Sequence, residues 1–205
     1  MSDPLSPSDG HPAAPPDEVV ELRRLADETA ADAKTYLDAL AEVASAIQPD
    51  LALPLLLLAL SQLLFAGARL GAIQDVVPSE RYEPDLNGDE DVEALRVGLA
   101  NLLEGIDEYV DVTDPLTDPT LVGGVLSDDL AAVAVELSHG LRHYDDGRVD
   151  EALWWWQFSY LTGWGLRATS ALRVLQAVIG HLRQDADEDS VAEAEFDALH
   201  PPAVG

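Results

Sequence analysis

Apolar residues recur along this chain at helical spacing. Leu22, Ala26, Thr29, Ala33, Tyr36, Leu40, Val43 and Ile47 alternate by fours and threes, laying one stripe along a helix that runs from Glu18 to about Ile47. Asp17 stands where a cap accepts from the first free amides. Glu21, Arg24, Asp27, Glu28, Lys34, Asp38 and Glu42 fill the opposite side, so this helix belongs on the outside of a bundle. Residues 51–68 carry no charge and are leucine-rich on nearly every side. A membrane span needs about 20 such residues. Pro54, Ser61 and Gln62 interrupt the run, aromatic belts are missing, and Arg69 is the one nearby cation. The pattern is therefore read as a helix buried on all sides, and membrane association is not expected.

Pro78, Pro84, Asn87 and Gly88 make residues 76–88 a polar connection. A third helix follows from about Asp89, its acids at 89, 90, 91 and 93 favourable to the N-terminal dipole. Leu95, Leu99, Leu102, Ile106 and Tyr109 form its core stripe. The small residues Ala94, Gly98, Asn101 and Gly105 offer a second packing face. Asp114-Pro115 and Asp118-Pro119 make residues 112–125 a loop. Ser127 is placed to cap a fourth helix ending near Tyr144, with Asp128 and Asp129 in its first turn, and Asp146-Gly147 turns the chain. The last long helix spans residues 149–182, and a short acidic helix fills 185–199. No stretch shows sustained strand alternation, and there is no internal repeat. The expected fold is all-α, a single-domain bundle of about five long helices with a central Trp-rich helix. It comprises a Pro-rich leader at 1–16, a helical domain at 17–184 and an acidic segment at 185–205.

All four tryptophans, Trp154, Trp155, Trp156 and Trp164, fall within eleven residues. At about 100° per residue, Leu153, Trp154, Phe158, Tyr160, Leu161, Trp164, Ala168, Ala171, Leu172 and Leu175 cover a little over half the circumference, so this helix is central. Trp154, Trp156 and Trp164 are expected in the core. Gln157 lies in the same arc and needs partners if buried, because an unsatisfied amide costs ~1–3 kcal/mol. Trp155 points with Leu166 and Arg173 to the opposite side. Exposed Trp and Arg commonly anchor interfaces, which makes Trp155, Leu166 and Arg173 the candidate contact patch. The competing reading is that the leader or the first helix covers Trp155.

The net charge of -28 repels nucleic-acid phosphate and anionic lipid, both of which are bound through lysine and arginine. It favours a basic protein partner, or mimicry of nucleic acid toward one. Cysteine is absent, which removes disulfides and thiol nucleophiles and suits the cytoplasm. The opening residues carry no basic residue ahead of an apolar run, so they are read as a disordered leader and not a secretion signal.

Glu136, His139, His143 and Asp146, at spacings of three, four and three, have the residue types and helical spacing of ligands for a divalent metal. Leu130, Val133, Ala134, Leu137, Leu141 and Tyr144 set the core direction of that helix, and the four polar residues point away from it. Catalytic metals need a shielded cavity, so a solvated polar face is the competing reading. Asp128 and Asp129 suit either magnesium or a helix start. Asp111, Asp114 and Asp118 lack the ligand pattern of a calcium loop. Gly123-Gly124 alone is no phosphate loop, and no nucleophile elbow is present.

Asp114-Pro115, Leu126-Ser-Asp-Asp-Leu, His139-Gly-Leu, Tyr144, Ala152-Leu-Trp-Trp-Trp-Gln-Phe-Ser-Tyr, Trp164-Gly and Ala171-Leu-Arg occur in this order. Over residues 36–182 the chain resembles a bacterial family, domain of unknown function 5063. The resemblance implies an all-helical, cytoplasmic, single-domain protein with no assigned activity. The family pattern sets histidines beside the Trp-Gly pair and after the Ala-Leu-Arg segment, where this chain has Gly163, Arg167 and Gln176. The resemblance thus implies loss of any chemistry that relies on them. The favoured reading is a non-catalytic protein-interaction module, self-association included. The alternatives are a metal-assisted enzyme and an acidic nucleic-acid-mimicking regulator.

Overall fold

The computed structural model describes residues 16–78, 90–114 and 116–199. Most of the leader, most of the 76–88 connection and the final residues 200–205 lie outside these. In order come α1 (Pro16–Ala44), α2 (Pro49–Ala72), α3 (Glu90–Leu102), β1 (Glu108–Asp114), β2 (Asp118–Val125), α4 (Leu126–Asp145), α5 (Val149–Ser159), a π-helical turn (Tyr160–Trp164) and α6 (Gly165–Leu199). α5, the π turn and α6 run on without a break. Five long rods therefore make an all-α bundle that carries one small sheet. No helix boundary falls near residue 183, because residues 181–199 contain neither Gly nor Pro and the rod simply continues.

The core lies where α1, α2, α4 and the α5–α6 rod meet. Tyr36 and Leu40, Leu56 and Leu60, Leu130 and Leu137, and Trp156 and Trp164 are all fully buried there. Tyr36 ties α1 to α4 by donating its hydroxyl to the Leu130 carbonyl at 3.0 Å. Burial, aided by the Asp129 charge, holds the phenol protonated far above its ordinary range.

Further expectations are corrected. Ile47 is exposed, because α1 ends at Ala44 and the chain turns through Ala46 at φ 52°. α3 stops at Leu102, and Gly105 at φ +90° swings the chain away, so Ile106 and Tyr109 are not helical. Of its expected small face, Gly98 is packed closely, since a Cβ there would sit 2.9 Å from the Ala44 carbonyl oxygen, whereas Ala94 and Asn101 are exposed and Gly105 lies beyond the helix.

The expected loop at 112–125 is a β-hairpin. Glu108 pairs with Val125, Val110 with Gly123 and Val112 with Leu121, with an irregularity between Val112 and Asp114. β-Branched residues supply the strand preference, and Pro119 falls at the second position of β2, where a missing donor costs little. Asp114 closes the turn by accepting from the Leu116 amide at 2.7 Å and the Thr117 amide at 3.2 Å.

α2 is not buried on all sides. Ala52, Leu56, Leu60, Leu63 and Leu70 face the core, but Leu51, Leu58 and Phe65 are 50%, 68% and 66% exposed. α1 and the α5–α6 rod cover two flanks and leave a third open. Among the described residues this is the one helix long and apolar enough to cross a membrane by length and composition.

Trp156 lies flat across α4, where a Cβ on Gly140 would come within 2.0 Å of the indole nitrogen. Alanine in place of helical glycine ordinarily gains up to about 1 kcal/mol. Here the buried ring has no space to retreat, so Gly140→Ala is expected to lose about 1–3 kcal/mol in urea unfolding. An unchanged or raised midpoint would show that the ring can shift.

Candidate functional site

The seam between α4 and the rod is held by indole donors. Trp155 Nε1 donates to the Glu136 carbonyl at 2.9 Å and Trp156 Nε1 to the Leu137 carbonyl at 3.2 Å, while within the rod Trp164 Nε1 donates to the Trp156 carbonyl at 3.3 Å. Buried Gln157 works at the other side of the rod. Its amide donates to the Leu70, Ile73 and Gln74 carbonyls at 2.9, 3.4 and 3.2 Å, and its carbonyl accepts from the Val76 amide at 2.9 Å. One side chain thus satisfies the carbonyl end of α2, and the amide finds the partners that burial demands.

Trp156 and Trp164 are core residues as expected, but Trp154 is only partly buried and stacks on Phe158 at 5.4 Å. Phe158 and Leu161 are exposed. The physical reason is the π turn, which inserts about one residue and shifts the helical phase by roughly 100°. Residues before Tyr160 and after Trp164 cannot share one 100° wheel. Trp155 is therefore displaced from the line of Leu166 and Arg173. Its ring sits partly buried, 5.3 Å from His139, while Leu166 and Arg173 remain exposed on α6.

The four α4 candidates also part company. Asp146 is exposed and caps α4, its amide bonding to the Arg142 carbonyl. His143 is not on a solvated face: it is 3% exposed, with Nδ1 3.1 Å from a carboxylate oxygen of buried Glu151, which also pairs with Arg148. Glu136 and His139 stay together beside Trp155. The His139 Nδ1 atom is buried without a hydrogen-bond partner among the described residues. Among those residues, no group of three or more His, Asp or Glu is gathered as a metal-holding set.

A second polar cluster, missed by the pattern reading, joins the hairpin to α4 and α6. Asp129 accepts from Arg167 at 2.7 Å and from the Tyr109 hydroxyl. Asp111 accepts from Ser170 at 2.5 Å and from Arg173 at 2.7 Å. Burial raises the Asp111 carboxyl, but the Ser170, Val112 amide and Arg173 donors outweigh it and hold the group below its ordinary value. Burial and the Asp129 carboxylate push the Tyr109 phenol well upward, so it stays a donor. Ser127 does not cap α4. Asp107 does so from outside, accepting from the Ser127 amide at 2.7 Å and its hydroxyl at 2.8 Å. Every carboxylate of this cluster is engaged by a donor within the chain, which suits a latch better than a base awaiting a substrate.

A family model described as domain of unknown function (DUF5063) matches residues 20–181. The chain belongs to this family. Several of the segments that carry the DUF5063 resemblance lie along the α4–rod seam. Leu126-Ser-Asp-Asp-Leu opens α4, His139-Gly-Leu lies under the tryptophans, and Trp164-Gly closes the π turn. Gly163 falls in that turn, Arg167 is paired with Asp129, and Gln176 is exposed. The crystal structure of protein BF1032 from Bacteroides fragilis has the same overall fold, with TM-score 0.56 and 20% identity over 80% of this chain and 92% of that one. No curated protein matches the chain.

Tyr109→Phe removes the donor to Asp129, at a cost of about 1–2 kcal/mol. Hydrogen exchange should quicken at residues 108–125 while α1 and α2 are unchanged. Equal acceleration across the bundle would show that the cluster is no local latch. Glu136 supplies a pH test. Burial raises its carboxyl, with His139 and Arg167 pulling the other way. Because the folded value lies above the unfolded one, the stability of this group is complete at low pH and is lost as pH rises through the folded value. Glu136→Gln should therefore raise the melting temperature by roughly 1–3 °C at pH 7 and give no gain at pH 4. Equal gains at both would rule burial out as the cause.

Proposed function

We propose that this chain is a non-catalytic protein-interaction module of the cytoplasm, whose principal contact surface is the open flank of α2. The observation that carries this reading is the exposure of Leu51, Leu58 and Phe65 along one uncharged line. Leu161, 3.7 Å from the Cβ position of Gly71, extends that line onto the rod, with exposed Phe158 one turn away. The largest apolar patch on a protein surface is often a functional one. Leu166 and Arg173 remain a smaller exposed pair on α6, though Arg173 is already held by Asp111 and the Trp155 N–H is committed to Glu136. A net charge of -28 favours a basic partner wherever contact is made outside α2, and disfavours nucleic acid. A metal-assisted reaction draws less support. His143 faces Glu151 inside the fold while Asp146 stands at an exposed helix end, so the four candidates do not converge.

The test is retention of proteins from a native extract by the full chain and by a Leu58→Ser, Phe65→Ser variant, with a differently tagged copy of the chain included. Both sites are exposed, so melting temperature should be unchanged while the wild-type set of retained proteins is lost. Identical sets from both proteins would sink the reading.

A further inference from the structure

We propose that the partner seated on α2 is a second copy of this chain, packed antiparallel through α2 about Ser61. This rests on the interaction reading above and names its partner. Leu51, Pro54, Leu58, Ser61, Phe65, Ala68 and Ala72 are all exposed and follow one another at steps of three, four, three, four, three and four. That is the a/d spacing by which one helix packs into another. Turned antiparallel about Ser61, the line sets its two large central residues against each other and Leu or Pro against Ala toward the ends. Leu58 meets Phe65 of the other copy, Leu51 meets Ala72, and Pro54 meets Ala68. Leu161 beside Gly71 fills the room left at the alanine end.

The polar groups along the line would not resist burial. The Ser61 hydroxyl already donates to the Leu57 carbonyl at 2.7 Å, so covering it strands no donor. Neighbouring Gln62 is held by Asp32 at 2.6 Å, and Arg69 is paired with Glu28. Charge limits where a second copy can sit. Each copy carries -28, so two copies repel wherever acidic faces meet, and residues 51–68 are uncharged. The open flank of α2 thus lets like meet like at the smallest electrostatic penalty. The same acidity disfavours an anionic membrane, which is bound through basic residues. Twenty-four residues extend about 36 Å. A strip roughly 10 Å wide then covers about 360 Å² per copy before Leu161 and Phe158 are added, below the usual ~800 Å². The dimer is therefore a weak one.

Native mass of the full chain, followed by sedimentation across micromolar concentrations, should rise from 22.0 kDa toward twice that value. Leu58→Glu, with an unchanged melting temperature, should raise the dissociation constant roughly 100-fold or more, since each copy would bury an unpaired carboxylate. Higher salt should tighten the dimer by screening the repulsion, whereas contact with a basic partner would weaken. The chain has no cysteine, so single cysteines report the geometry. Under mild oxidant, Leu58→Cys mixed with Phe65→Cys should cross-link, while Leu58→Cys alone should not. Cross-linking by Leu58→Cys alone would overturn the antiparallel arrangement. A monomer at every concentration that still loses other retained proteins on Leu58→Ser, Phe65→Ser would overturn the second copy and leave the interaction reading standing. A monomer that binds neutral phosphatidylcholine vesicles through Leu58 and Phe65, and retains no protein there, would overturn both.

Discussion

The bundle depends on an opening in the backbone of α4. Gly140 leaves no side chain on the face where Trp156 lies, and the ring occupies the position that a Cβ would take. That close approach brings two neighbouring indoles within reach of two neighbouring carbonyls, Glu136 and Leu137. Those carbonyls lie within α4, so each accepts the indole beyond its helical partner, using the second lone pair that a helix leaves free. The seam is therefore fixed in register as well as in distance. Apolar contact alone would let one helix slide on the other, whereas two directional donors on successive residues would both be lost by a shift of one turn.

Holding α5 in that register carries a consequence further along the rod. Trp156 and Gln157 face α4 and the end of α2, while Trp164, Ala168, Ala171 and Leu175 must face the same core. A continuous α-helix would carry the second set about a quarter-turn away from the first. The π turn absorbs that difference, and the tight packing of Tyr160 and Trp164 against Gly67 accompanies it. A single inserted residue thus reconciles two packing faces on one uninterrupted rod.

This explains which parts of the molecule were legible in the sequence. The α1 stripe, the Gly147 turn at φ +78°, the burial of Trp156 and Trp164 and the partners of Gln157 follow from local periodicity and polar satisfaction. Phe158, Leu161 and the Trp155 line do not, because helical bookkeeping assumes a constant step and nothing in Tyr-Leu-Thr-Gly-Trp announces a π turn. The hairpin was hidden because Asp-Pro pairs in the sequence read as breaks and acids interrupt its apolar alternation. Asp129 and Arg167 meet across elements 38 residues apart, a juxtaposition that no spacing rule within one helix can reveal. The exposed flank of α2 escaped for a different reason. Leucine on every side is equally compatible with full burial and with a partner, and only the positions of α1 and the rod decide.

The charge distribution links these features. Arg23, Arg24, Lys34, Arg69, Arg96, Arg148, Arg167 and Arg173 each sit in an ion pair within the chain. The scarce cations are thus largely spent on internal acids, several of them on the hairpin latch and the α4–α5 turn. What remains on the surface is surplus carboxylate, which adds little stability and repels any acidic neighbour. Against that background, the uncharged run 51–68 of α2, about 27 Å long, is a surface where association costs little Coulomb work. The excess acid penalises contact between copies of the chain wherever acidic faces meet, and the proposed dimer through α2 avoids that penalty. Acidity and exposed leucine, opposed in their effect on solubility, act together on where this fold can be touched.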